Sequence, residues 1–303
     1  MSYQADFPFD AISKVKFSCG IWRKNNLDDW IRCFIDRQMP VPLHTSRIDA
    51  ITESPGAPLV IAHGLLGQSR NFGTLTRGFA EKRPVVTVDM RNHGDSPWHE
   101  LMDYHAMADD LAAVIETHAD GKAHLLGHSM GGKAAMVMAL KRPELLASLV
   151  VADIAPVAYD HEYHKEIAAM LQVGLEGVSR RKQADQILQA LIPQASMRAF
   201  LLQNLSVSDG VARWKPNLKV LDETMADITG WPPQASDAQF EGPTLFVKGG
   251  DSTYVLESHE PMIRNLFPSV EFRSVPEAGH WLHAERPKPF FEAVDRFLDP
   301  MTR

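Results

Sequence analysis

Cysteine is nearly missing from this chain of 303 residues: it has Cys19 and Cys33, both near the start. A disulfide framework therefore does not hold the core together, which suits a reducing cytoplasm. No apolar run reaches the ~18 residues that a membrane span requires. The start lacks a charged-then-apolar secretory pattern, and its mixed acids and bases are unlike a transit peptide. Basic blocks are lacking too: with a net charge of −7 and no run of Lys and Arg to offset it, nucleic acid is excluded as a main partner. No Cys or His cluster has metal spacing and no glycine loop has a dinucleotide or phosphate fingerprint, so neither cofactor nor metal is expected. Internal repeats and low-complexity tracts are absent as well.

What is present is an ordinary globular composition, 45% hydrophobic and 23% charged, in a chain long enough to bury a sizeable core. Residues 1–42 read as an N-terminal appendage. Within them Ile21–Ile31 has the pattern of a short amphipathic helix, Pro40 and Pro42 mark a boundary, and Met39 is an alternative start of the compact domain. From Leu43 short apolar runs alternate with helical patterns. A weak strand or hairpin around His44–Ile51 comes first. Buried-strand runs follow at Leu59–His63, Pro84–Asp89, Ala123–Gly127, Leu149–Asp153, Pro243–Lys248 and Val270–Val275. Helices fall over about Phe72–Glu81, Tyr104–His118, Lys133–Leu140 and Lys288–Leu298. Strands of four to six residues alternating with helices mean an α/β fold with a mostly parallel sheet covered on both faces. Residues 157–240 depart from that rhythm and read as helices only, among them Glu162–Leu171, Arg180–Leu191 and Ser196–Leu205. An insertion of helices between two sheet strands reads as a lid over a site.

The sheet pattern centres on Gly127-His128-Ser129-Met130-Gly131, a G-x-S-x-G between a strand and a helix. That is the form of a nucleophile elbow, a sharp turn that lifts a serine Oγ out of the sheet. The turn forces the serine into strained backbone geometry, and glycines two residues either side let strand and helix close up. Met130, first in the helix, offers a free N–H toward an oxyanion.

Acyl transfer needs a base, an orienting acid and a second oxyanion donor besides the nucleophile Ser129. Thirteen histidines compete for the base. In this arrangement the order along the chain is Ser, acid, His, which selects His280 on the loop after the last strand, with His283 the near alternative. The second N–H comes from the loop after Leu59–His63, with Leu65 its donor, while His63 itself reads as a structural hydrogen-bond partner. For the acid, Asp153 and Asp251 both stand near a strand end. The commonest spacing, G-x-x-D after the penultimate strand, puts Ser252 where the aspartate belongs.

Six motifs in order carry a resemblance: His63–Gly67, Asp89–Gly94, Gly127–Gly132, Asp153–Pro156, Gly249–Val255 and Ala278–Glu285. Over residues 43–300 the chain resembles the α/β-hydrolases, and within them the small YbfF-like bacterial esterases and their mitochondrial abhydrolase relatives. The resemblance implies Asp153 as the acid and Ser252 as a support for His280. It also implies short-to-medium acyl esters or thioesters as substrates, and it makes Arg91-Asn92-His93-Gly94 a marker of a family turn rather than a catalyst.

The expectation is therefore a cofactor-free serine hydrolase of carboxylic esters that works through an acyl-enzyme. Its partner is a small-molecule ester or thioester. Two rivals stand beside it: a carbon–carbon bond hydrolase sharing the G-x-S-M-G elbow, and a non-catalytic ligand-binding protein that keeps the fold.

Overall fold

The computed structural model describes residues 39–299 except 54, 120, 161, 162, 234, 236 and 237. The helix expected at Ile21–Ile31 and both cysteines lie outside the described residues. One compact unit begins at Met39. Its first residues are already anchored: Val41 is buried, and its N–H donates to Asp110 Oδ1 at 2.6 Å.

The described residues form a sheet of seven strands: β1 (Thr45–Ile48), β2 (Leu59–Ala62), β3 (Val85–Val88), β4 (Ala123–His128), β5 (Leu146–Ala152), β8 (Thr244–Gly249) and β9 (Val270–Val275). Their spatial order is β1-β3-β2-β4-β5-β8-β9. Only β1 runs antiparallel to its neighbour; the rest pair in parallel. The His44–Ile51 segment is thus a single edge strand, paired at Thr45↔Val88, rather than a hairpin.

Strands such as LVIA and VVTV are buried at every position, and the period-two alternation sends successive side chains to opposite faces. Val60, Val86, Leu125 and Val151 join one core, under α2 (Tyr104–His118) and α3 (Met130–Lys141). Leu59, Val85, Leu126 and Val150 join the other, under α1 (Gly73–Phe79) and α11 (Pro287–Leu298). Helix α11 buries Phe290, Val294, Phe297 and Leu298, one stripe at helical spacing. Helix α2 starts where Asp103 accepts the Ala106 N–H at 2.8 Å, an ordinary N-cap.

Between β5 and β8 lies the insertion: α4 (His164–Gln172), α5 (Arg181–Leu188), α6 (Ala195–Leu202), α7 (Leu218–Glu223) and α8 (Met225–Thr229). It is not helical throughout. Strands β6 (Leu205–Ser208) and β7 (Val211–Trp214) form an antiparallel hairpin inside it. The turn is Asp209-Gly210, both at positive φ (52° and 76°), the geometry for which Asp-Gly is suited. The expectation of helices only fails here because these strands are half-exposed and carry no buried-strand run. Helices α9 (Glu260–Leu266) and α10 (Leu282–Glu285) complete the set.

Candidate active site

Four polar side chains sit just past the carboxyl ends of parallel strands, the edge at which open α/β sheets bind ligands. Ser129 follows β4, Asp153 follows β5, Ser252 follows β8 and His280 follows β9. Ser129 has φ 52° and ψ −120°, the strained conformation that an elbow demands. The glycines around it are sterically required. A Cβ on Gly127 would stand 2.2 Å from the Gly131 carbonyl oxygen, and one on Gly131 2.5 Å from that of His63.

From Ser129 a chain of hydrogen bonds leads inward. Ser129 Oγ lies 3.0 Å from His280 Nε2, and His280 Nδ1 lies 2.8 Å from Asp153 Oδ2. Asp153 is fully buried, and its side chain also accepts from the Gly249 N–H at 2.9 Å and from the Ser252 hydroxyl. Three donors thus converge on one carboxylate, and a buried negative charge needs such partners. The Asp251 side chain is exposed and only its N–H turns inward, toward the Ala278 carbonyl. Asp153 reaches His280 because its own backbone turns through φ 52° at the strand end.

His283, the alternative base, is buried and stacked on Phe72 at 4.6 Å. Burial lowers its pKa to about 3, so it stays a neutral packing group. His63 is likewise neutral, its pKa lowered by burial: Nδ1 donates to the Gly64 carbonyl at 2.7 Å and Nε2 accepts from the Met90 N–H at 2.9 Å. It ties the loop after β2 to the end of β3.

Leu65 and Met130 both line a small cavity against Ser129. The loop carrying Leu65 presses on Ser129, since a Cβ on Gly64 would meet the Ser129 Cβ at 3.0 Å. Met130 opens α3, where the first N–H groups of a helix have no partner within it. These are the two N–H groups expected to face an oxyanion.

Several further residues hold this geometry; most stand within the motifs above, but their roles here come only from tertiary contacts. Tyr254 stacks on the His280 ring at 3.7 Å with planes 15° apart. The Tyr159 hydroxyl donates to the Tyr254 carbonyl at 2.6 Å. His128, inside the elbow, donates through Nε2 to the His280 carbonyl at 2.9 Å. His93 accepts the Leu66 N–H on Nε2 at 3.1 Å, and burial keeps it neutral with a pKa of about 3. Through that bond the family turn fixes the loop that carries Leu65 and Leu66. Arg91 beside it is 1% exposed and grips Asp110 through two bonds of 2.7 and 2.8 Å.

Lys133, one helical turn beyond Ser129, is the other unexpected group. It is 1% exposed; Nζ donates to the Thr229 and Gly230 carbonyls at 2.8 and 2.6 Å and lies 4.8 Å over the Tyr159 ring. Burial lowers its pKa to about 7. Carbonyls at the end of a helix and a ring face replace the water it has lost.

Ser129 opens into a cleft of about 910 Å³, whose lining includes His280, Trp281, Phe200 and Arg181. Its insertion-side wall comes from Tyr163, Arg181, Ser196, Ala199, Phe200 and Gln203. Among the described residues His44, Asp89 and Asp95 come close enough together to hold a metal. They do not fit one well. Burial pushes the Asp89 pKa up, but the Asp95 and Ser69 N–H groups on its carboxylate outweigh that and hold it low, and Asp95 is paired with Lys215 at 2.7 Å. No helix among the described residues is long and apolar enough to cross a membrane.

Comparison with known proteins agrees with this architecture. The alpha/beta hydrolase fold family matches residues 57–287. The sn-1-specific diacylglycerol lipase ABHD11 of Mus musculus is 41% identical over 267 residues, covering 86% of each chain. Esterase YbfF of Escherichia coli is 37% identical over 244 residues, covering 80% of this chain and 93% of its own. A solved structure of a marine microorganism esterase superposes with a TM-score of 0.79 at 32% identity, covering 85% of this chain and 99% of the other.

Proposed function

We propose that this chain, which belongs to the α/β-hydrolase family and is a carboxylic ester hydrolase, works through an acyl-enzyme formed on Ser129. The observation that carries this reading is the continuous path Ser129 Oγ–His280 Nε2, 3.0 Å, and His280 Nδ1–Asp153 Oδ2, 2.8 Å.

The steps follow from the geometry. Ser129 Oγ attacks the ester carbonyl carbon while His280 Nε2 takes the hydroxyl proton. The carbonyl electron pair moves to oxygen, which receives the Leu65 and Met130 N–H groups. Asp153 holds the imidazole with Nδ1–H inward and stabilises the imidazolium, and Ser252 supports that carboxylate. The tetrahedral centre collapses, the bond to the leaving group breaks, and His280 gives that group the proton. Water then repeats the sequence: His280 removes its proton, hydroxide adds to the acyl carbon, and Ser129 leaves reprotonated.

Esters of short-to-medium acyl chains, thioesters included, are the substrates of this reading. The insertion is its lid, its helices forming one wall of the cleft. The scarcity of cysteine supports a reducing cytoplasm as its place of work.

The test is a fluorophosphonate probe together with a p-nitrophenyl acetate assay. Labelling and turnover should both be present, and both should vanish in Ser129→Ala. A protein that turns over no ester and takes no label is a binding protein on this fold.

A further inference from the structure

Two cavities, unequal by more than an order of magnitude, meet at Ser129. The large one is the 910 Å³ cleft. The small one, about 30 Å³, is lined by Leu65, Met130, Lys133, Ile154 and Ile228, with tyrosine rings closing it. Ser129, Leu65 and Tyr163 line both and form the divide between them.

The hydrolysis proposed above dictates what goes where, and this inference rests on that reading. A tetrahedral carbon on Ser129 carries four groups. One is the serine oxygen, and one is the oxyanion facing the Leu65 and Met130 N–H groups. The leaving group must reach His280 Nε2 to be protonated. The acyl chain takes the direction that remains. His280, with its neighbours His128 and Trp281, lines the large cleft and not the small chamber. Met130 lines the small chamber and not the large cleft. The leaving group therefore occupies the large cleft, and the acyl chain enters the small chamber.

We propose that the small chamber behind Ser129 is an acyl pocket that restricts this enzyme to esters or thioesters of short acyl groups on large alcohols or thiols. A water-sized group takes up about 10–15 Å³ of such a volume, so the chamber of about 30 Å³ holds about two or three; the oxygen facing Leu65 and Met130 takes one, which leaves about one or two carbons beyond the carbonyl. Acetyl and propionyl fit.

The walls do not give way easily. Lys133 is held by the Thr229 and Gly230 carbonyls, and Ile154 and Ile228 are core residues. The Tyr104 hydroxyl donates to the Ile228 carbonyl, which fixes that part of α8 from the sheet side. An apolar chain longer than propionyl meets the Lys133 amine, held in place by those two carbonyls. The large cleft carries both apolar and cationic lining, Phe200 and Trp281 beside Arg70 and Arg181, and has space for a bulky, partly polar leaving group.

The experiment is a pair of substrate series on the full-length protein. In the first, p-nitrophenol stays constant and the acyl group runs acetate, butyrate, hexanoate, octanoate. In the second, acetate stays constant and the alcohol grows from methyl to octyl and naphthyl, followed by pH-stat. The expected result is a kcat/KM that falls about tenfold or more at each acyl step beyond propionyl. It stays level or rises with alcohol size. A kcat/KM that holds or climbs through octanoate overturns the assignment, as does a steep loss with alcohol size. Ile228→Ala, which enlarges the chamber without touching Ser129, His280 or Asp153, should raise the butyrate-to-acetate ratio about tenfold. An unchanged ratio in a folded variant also overturns it, and the wild-type series decides if that variant does not fold. Failure of the underlying hydrolase reading looks different: no ester of either series is turned over and fluorophosphonate does not label Ser129.

Discussion

The Asn204 side-chain amide donates to the Leu66 carbonyl at 2.7 Å, and so stitches the insertion to the loop after β2. From the other side the Leu66 N–H donates to His93 Nε2 at 3.1 Å. Leu66 needs both, because it sits at φ 57°, a left-handed conformation that is strained for a leucine. Asn204→Leu should therefore lower kcat for p-nitrophenyl acetate about 10- to 100-fold, the loss of a buried hydrogen bond, with KM little changed. His93→Phe should do the same. Steady-state kinetics on folded variants checks both; an Asn204→Leu enzyme with wild-type kcat shows that the loop holds itself.

Among the aspartates the expected order of damage is clear. Asp153→Asn gives His280 the wrong partner and should cost about 10⁴ in kcat, the loss that the isosteric amide brings in the serine-protease template. Ser252→Ala removes a neutral donor and should cost about 10- to 100-fold. Asp251→Asn, with its side chain in solvent, should cost less than either. A crippled Asp251→Asn beside a mild Asp153→Asn would place the acid after β8.

The Arg91–Asp110 pair is the most deeply buried ion pair among the described residues, with side chains 1% and 0% exposed. Asp110 also accepts the Val41 N–H, so it anchors the chain entering β1. Arg91→Leu leaves a buried carboxylate without its cation and should cost about 3–5 kcal/mol. Urea unfolding measures it. A loss below about 1 kcal/mol, the range of a surface pair, would mean that solvent reaches Asp110.

Burial lowers the pKa of His63, His93, His124, His128 and His283, to about 3 for His93 and His283 and about 4 for His124. Unfolded, these imidazoles titrate near 6.5, so from there downward the unfolded chain binds protons that the folded one refuses. The histidines' contribution to stability is complete above pH 6.5 and is lost as pH falls toward 3. Between pH 6.5 and 5 most carboxylates stay ionised in both states, so a falling melting temperature there reports the histidines. His124→Gln, remote from Ser129, should flatten that slope by about one proton. A melting temperature that does not move between pH 6.5 and 5 contradicts the buried neutral state.

Much of this molecule is legible in one dimension because the information is local. Runs such as Leu59–Ala62 and Val85–Val88 announce strands buried on both faces, since water would have to leave either side. The elbow is legible because five consecutive residues meet its steric demand. The hairpin at 205–214 escapes such a reading although Asp209-Gly210 is a strong turn signal. Its strands alternate too weakly to stand out from helical neighbours.

By itself, then, the sequence determined the alternation of strands and helices, the strained turn at Ser129 and the histidine loop after the last strand. Backbone sterics and hydrophobic periodicity act within a few residues, and these features need nothing more. Only the tertiary structure decided which aspartate meets His280, because Asp153 and His280 are separated by 127 positions and meet through the order of β5, β8 and β9. The same holds for Asn204 on Leu66, 138 positions away, and for Lys133 on Thr229, 96 away. Such contacts are polar pairings between surfaces that folding brings together, and their geometry exists only once both surfaces are packed.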